Sequence, residues 1–179
     1  MPRPLRDSAP GIHHITVGAT GPSPYFLDDV DRMDWTRRLV RTLDRFNWRC
    51  LALCQMTTHV HVLLETPDES LPIGMHWLNC SYGKAFNDAH ARVGNLVRTR
   101  YWSRRMKDDA QLIAAFRYVA RNPFRAGLCD RAEDWPWSSF ATSCGLAQAF
   151  PFVDASRVIS LLGVPPALPG QVLLALVRD

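Results

Sequence analysis

The chain has 179 residues, 47% of them apolar and 21% charged, with a formal net charge of +4. That length suits one compact domain with appendages, and no run approaches the roughly 20 uninterrupted apolar residues of a membrane span. The five cysteines lack the close paired spacings of a zinc ribbon or a disulfide framework, so reduced thiols are expected, and the modest charge excess says little about nucleic acid on its own.

The first residues, Met1 to Pro10, carry Arg3 and Arg6 but no apolar run, so no secretory signal is read and a cytoplasmic location is expected. Ile12 to Val17 is rich in β-branched residues around His13 and His14 and leads into the breaker-rich Gly18 to Pro24, which predicts a strand and a loop. Both histidines are read as structural. From Val30 to Phe46, Met33, Leu39, Val40, Leu43 and Phe46 recur mostly at helical spacing, with Asp28 or Asp29 able to cap; Arg37, Arg38 and Arg41 fall on the solvated face. Trp48 to Gln55 and Val60 to Glu65 are apolar runs too short for helices and read as a hairpin across Thr57 and Thr58.

Ser70 is placed to cap a helix running through Met75, Trp77, Leu78, Tyr82 and Phe86 and fraying near Asn87 to Gly94. Asn95 to Met106 is then a basic strand without acidic residues. Asp108 and Asp109 head a helix from about Ala110 to Arg121, which Pro123 is expected to end. Strand, helix, strand, strand, helix, strand, helix predicts an α+β fold, an antiparallel sheet of ferredoxin-like topology packed by helices. Beyond Gly127, Trp135-Pro-Trp-Ser138 forms an aromatic corner, with Ser138 able to cap a short helix. The domain is expected to cover 1–145, and 146–179, apolar and proline-containing, is expected to pack back on it as a C-terminal extension.

The chemistry-bearing residues begin with His59-Val60-His61. On a strand the two imidazoles share one face while Val60 turns to the core, an arrangement suited to holding a divalent metal if a third ligand joins them. Tyr118 and Asn122 are four apart on one helix face, presenting a nucleophile beside a neutral oxygen ligand that suits Mg²⁺ or Mn²⁺. Arg98-Thr-Arg-Tyr-Trp-Ser-Arg-Arg-Met-Lys107 joins five cations to two aromatics, the composition that phosphate contact and base stacking use. A basic edge strand also deters aggregation, which accounts for the same charges without a ligand.

Three ordered segments resemble the single-tyrosine HUH transposases. Leu53 to Glu65 resembles the strand pair bearing their histidine motif. Tyr118-Val-Ala-Arg-Asn-Pro-Phe-Arg-Ala-Gly-Leu128 resembles their tyrosine helix, and Glu133-Asp-Trp-Pro-Trp-Ser-Ser139 the aromatic corner of the REP-associated tyrosine transposase branch. The resemblance spans Ile12 to Gly145 and implies metal-dependent cleavage and rejoining of single-stranded DNA through a 5′-phosphotyrosine, on REP-type hairpins. It makes Tyr118 the nucleophile and His59, His61 and Asn122 the ligands of Mg²⁺ or Mn²⁺, while the composition of the basic segment and the position of Arg125 give Arg98, Arg100, Arg104, Arg105, Lys107 and Arg125 as the DNA-binding set. It implies single-stranded or hairpin DNA as the partner, no small-molecule cofactor, no membrane and a monomer, with a dimer as the alternative. The chain departs from the family at Gly18 to Pro24, which lacks the basic loop of many relatives, and at Thr58, where Asn is frequent. That loop keeps open a non-catalytic nucleic-acid-binding module; a hydrolase using activated water is a third reading.

Overall fold

A computed structural model describes residues 7–21, 23–97, 101–165 and 167–178. β1 (Gly11–Gly18), α1 (Asp29–Phe46), β2 (Arg49–Gln55), β3 (His59–Thr66), α2 (Leu71–Ala89), β4 (Trp102–Arg105) and α3 (Asp109–Arg125) follow one another, and then come short α4 (Phe140–Ser143), α5 (Ala155–Leu161) and α6 (Pro169–Arg178). The strands lie in the order β2-β3-β1-β4, all pairs antiparallel, which is the expected ferredoxin-like arrangement. Among the described residues no helix is long and apolar enough to cross a membrane.

Strand alternation splits the apolar residues into two cores. Ile15, Val17, Val60, Val62 and Leu64 face α1 and α2, where Trp35, Leu39, Met75, Leu78 and Tyr82 meet them. Ala52, Cys54 and Leu63 face α3, which brings Leu112, Ala115, Phe116 and Val119, and Val158, Leu173 and Val177 of α5 and α6 close that layer. The buried apolar residues of α1 start at Trp35 rather than Met33, which is 48% exposed. α5 is tied to β3 by Arg157, whose guanidinium reaches Glu65 at 2.6 and 3.1 Å, and α6 is tied to the 132–134 turn by Arg178 and Glu133 at 2.5 Å.

Three local expectations change. Asp28 and Asp108 do cap their helices, accepting from the N–H of Asp31 and of Gln111. Ser70, however, makes no cap bond, because its hydroxyl accepts the Trp48 indole N–H at 2.9 Å. That indole lies against Gly74, where an added Cβ would stand 2.2 Å from Trp48 Cη2. Pro123 does not end α3. It is buried inside the helix, which runs to Arg125 and stops before Gly127 at φ +68°. A proline this close to the C-terminus removes one backbone bond, and its burial offsets that loss. β4 is also shorter than the basic segment that encodes it; Val97 makes only an isolated bridge to Ala19.

The aromatic corner is anchored by a residue the periodicity of α1 did not single out. Arg32 is 8% exposed, and its Nη1 donates to the carbonyls of Gln55 (3.1 Å) and Met56 (3.3 Å). Its guanidinium lies 4.9 Å from the Phe26 ring centroid, 5.5 Å from Trp137 and 5.8 Å from Trp135, while the Trp135 indole N–H donates to the same Gln55 carbonyl. Arg32→Ala withdraws a donor from two carbonyls at the end of β2 and unstacks three rings. We expect it to cost about 2–3 kcal/mol, read as a lower urea midpoint with unchanged slope. A shift under about 0.5 kcal/mol, the ordinary size for a surface change, would show the guanidinium to be dispensable.

Candidate active site

The site forms on the α3 side of the sheet because the register puts it there. Gly18 pairs with His59 and Thr16 with His61, and on the other side of β1 Thr16 pairs with Trp102 and His14 with Arg104. Residues in register across neighbouring strands share a face, so His59, His61, His14, Thr16, Trp102 and Arg104 project together. They line an open cleft of about 1070 Å³, closed on its far side by Asp108, Ala110, Gln111, Ala114 and Tyr118 from the start and middle of α3.

His59 Nε2 and His61 Nε2 stand 3.0 Å apart. The opposite nitrogen of each ring has a polar partner: His59 Nδ1 lies 2.9 Å from Thr58 Oγ1, and His61 Nδ1 lies 3.0 Å from Thr16 Oγ1 and 3.2 Å from His14 Nε2. With the protons on Nδ1, both Nε2 lone pairs converge on one point. Burial holds the pKa of His59 below that of an ordinary imidazole and takes His61 down to about 3, helped by the neighbouring His59 and His14. Burial alone brings His14 to about 4. The neutral form is the one that ligates. The 3.0 Å gap also equals the spacing of adjacent octahedral ligands each about 2.1 Å from a shared ion. By donor type, orientation and spacing, the pair fits one divalent metal. Among the described residues no group of three or more His, Cys, Asp or Glu is placed to hold a metal.

Tyr118 hangs over this pair. Its ring centroid is 5.2 Å from that of His61 and 5.7 Å from that of His14, and 43% of the residue is exposed to the cleft and solvent. Asn122, one turn further along α3, is half-buried and outside the cleft lining, its amide donating to the Tyr118 carbonyl at 3.1 Å. The carboxamide that does line the cleft is that of Gln111, bonded to Asp108 at 2.9 Å.

The turn before His59 is held by the loop that departs from the family pattern. Ala19 N–H donates to the Thr58 carbonyl (3.2 Å), and Tyr25 and Phe26 N–H to that of Thr57 (2.9 and 3.4 Å). Ala19 of this cation-free loop and the two residues that follow the loop thus clamp the turn before the histidine strand through their backbone. Gly18 allows the approach, since an added Cβ would lie 2.9 Å from both His59 Cβ and the Thr58 carbonyl.

No protein-family model matches the chain. A Haemophilus influenzae protein bearing the name "Putative REP-associated tyrosine transposase" is 24% identical over 141 residues, covering 73% of this chain and 80% of the relative. A solved structure described as the "REP associates tyrosine transposase bound to a REP hairpin" superposes with a TM-score of 0.69 at 18% identity, over 84% of this chain and 90% of the other. The chain resembles the REP-associated tyrosine transposases in sequence and in fold.

Measured against that resemblance, the structure brings His59, His61 and Tyr118 together and sorts the basic residues. Arg104 lines the cleft, exposed. Arg105 projects from the opposite sheet face and is paired with Asp7 at 2.8 Å. Lys107 and Arg125 are exposed, the first just before the cap of α3 and the second in its last turn. Arg98 and Arg100 lie outside the described residues. His14, read from the sequence as structural, proves to stand in the site between His61, Tyr118 and Trp102.

Proposed function

We propose that the protein cleaves and rejoins single-stranded DNA by transesterification at Tyr118, with REP-type hairpins as substrate. The observation that carries this is the exposed phenol of Tyr118 standing 5.2 Å, ring to ring, from a converging imidazole pair in an open cleft. The named relative and the hairpin-bound neighbour in fold support the same reading.

In this mechanism the phenol oxygen attacks the scissile phosphorus. A bond forms from Tyr118 Oη to phosphorus, the phosphorus to 3′-oxygen bond breaks, and the phenol proton is released to solvent in the open cleft. The products are a 5′-phosphotyrosine and a free 3′-hydroxyl. Attack by a 3′-hydroxyl on that linkage restores the phosphodiester and frees the tyrosine, so no nucleotide hydrolysis is required. His59 and His61 are the proposed metal ligands, with Asn122 as the third after its side chain turns from the Tyr118 carbonyl. An Mg²⁺ or Mn²⁺ ion bound there supplies positive charge that offsets the charge developing on the phosphate. Arg104, Lys107 and Arg125, with Arg98, Arg100 and Arg105, form the proposed DNA-binding set. The proposed assembly is a monomer, and the proposed catalytic unit is residues 1–145 with 146–179 as its extension.

The test is incubation of the protein with end-labelled hairpin DNA and Mn²⁺, followed by a denaturing gel. A covalent adduct is expected, and chelation of the metal should reduce it by at least about 10²-fold. DNA binding without adduct over several hairpins and metals would mean a binding module. Cleavage without adduct would mean activated water.

A further inference from the structure

We propose that Trp102 and Arg104 form a subsite for one unpaired nucleotide beside the cut, the indole stacking on its base and the guanidinium taking its phosphate. This rests on the reading of the cleft as a DNA site and goes beyond it by assigning what each side chain of β4 contacts.

Adjacent β4 residues face opposite ways, so the basic segment separates into two sets. Trp102 and Arg104 are in register with Thr16 and His14 on the cleft side. Tyr101, the other aromatic of the segment, is 6% exposed and belongs to the core beneath α1 and α2, and Arg105 is held by Asp7. Only one aromatic of the pair is therefore open to a ligand.

Trp102 is 52% exposed. The indole lines the cleft, so its open face is available to a base, which stacks on an aromatic whatever its sequence. The ring is nevertheless braced. It meets His14 edge to face, with centroids 5.2 Å apart and planes at 81°, and His14 in turn bonds His61. The indole is thus referenced through two rings to the imidazole pair. Across the cleft α3 offers Ala110 and Ala114, small side chains that leave the slot open. Arg104, two residues along the same face, has no ion-pair or hydrogen-bond partner among the described residues, unlike its neighbour Arg105. An exposed aromatic face beside an uncommitted cation suits an unpaired nucleotide, because a base inside a duplex has its faces already stacked.

The test measures binding by fluorescence anisotropy on a Tyr118→Phe background, so that no strand is cut. Single-stranded DNA is used with one abasic site moved stepwise along the nucleotides around the cut. With Trp102 present, one abasic position should weaken binding by about 5- to 150-fold, the range of a single base stack. With Trp102→Ala the intact strand should bind that much more weakly, and the same abasic position should cost nothing further. Trp102→Phe should fall between. Arg104→Gln should weaken intact and abasic strands alike and lower the salt slope by about 0.7. If Trp102→Ala leaves binding unchanged, or if every abasic position costs the same with and without the indole, the subsite is wrong; the latter is what simple loss of support for His14 would produce. Failure of the broader reading shows separately, as absence of adduct with the unmodified protein.

Discussion

Tyr118→Phe is expected to abolish the covalent adduct, a loss on the order of 10³-fold or more, while fold, metal binding and DNA binding stay as they were. The substitution is unusually clean here. The Tyr118 hydroxyl has no hydrogen bond among the described residues, and the residue is 43% exposed. The ring contacts to His61 and His14, at 5.2 and 5.7 Å between centroids, are made by an aromatic ring that phenylalanine keeps. Stability should therefore move by no more than about 0.5 kcal/mol in a urea titration. Adduct yield and unfolding midpoint, measured on the same preparation, separate chemistry from folding. An adduct that survives the change would place the nucleophile elsewhere.

His61→Ala should also eliminate cleavage, by at least about 10²–10³-fold, through a different route. His61 is 3% exposed, and its two nitrogens contact His59, His14 and Thr16. Removing the ring takes away one of the two converging Nε2 donors and leaves the Thr16 hydroxyl and His14 without their partner. Mn²⁺ binding, followed by calorimetry or by the electron paramagnetic resonance of free Mn²⁺, should be lost, and stability should fall by about 1–3 kcal/mol from the unsatisfied groups. A variant that keeps parental Mn²⁺ affinity would reduce the imidazole pair to a structural hydrogen-bond pair.

The placement of these two residues and of His59 was legible in the sequence because the strand and helix periods are local, while the roles proposed for them came from the order of the family motifs. A His-x-His on an apolar strand and a Tyr and Asn on one helical turn need only the strand and helix periods to be placed. The sheet topology was equally readable, since alternating short apolar runs and helical stripes joined by one tight hairpin leave few arrangements. What escaped depends on pairing between distant segments. His14 enters the site only because β1 lies in a register that sets Thr16 opposite His61. Gly18 matters only because His59 is across from it. The basic segment could not be divided into a cleft-facing Arg104 and a paired Arg105 until Asp7 was placed beside the latter. Ser70 and Pro123 misled for a related reason: the cap bond gave way to a distant indole, and a buried proline was carried inside the helix.

The loop from Gly18 to Pro24 shows how a departure from the family pattern can have a structural meaning. Its lack of cations removes one means of holding phosphate, yet backbone donors from this region and from Tyr25 and Phe26 fix the Thr57–Thr58 turn that delivers His59. The proposed DNA contact then falls to the β4 side of the cleft, which Trp102 and Arg104 line.

The most direct measurement is mass spectrometry of the protein after reaction with hairpin DNA and Mn²⁺, followed by nuclease trimming and proteolysis. The account predicts one modified peptide, carrying a nucleotide through a 5′-phosphate ester on Tyr118. Attachment to another residue, or complete cleavage with every tyrosine unmodified, would contradict it.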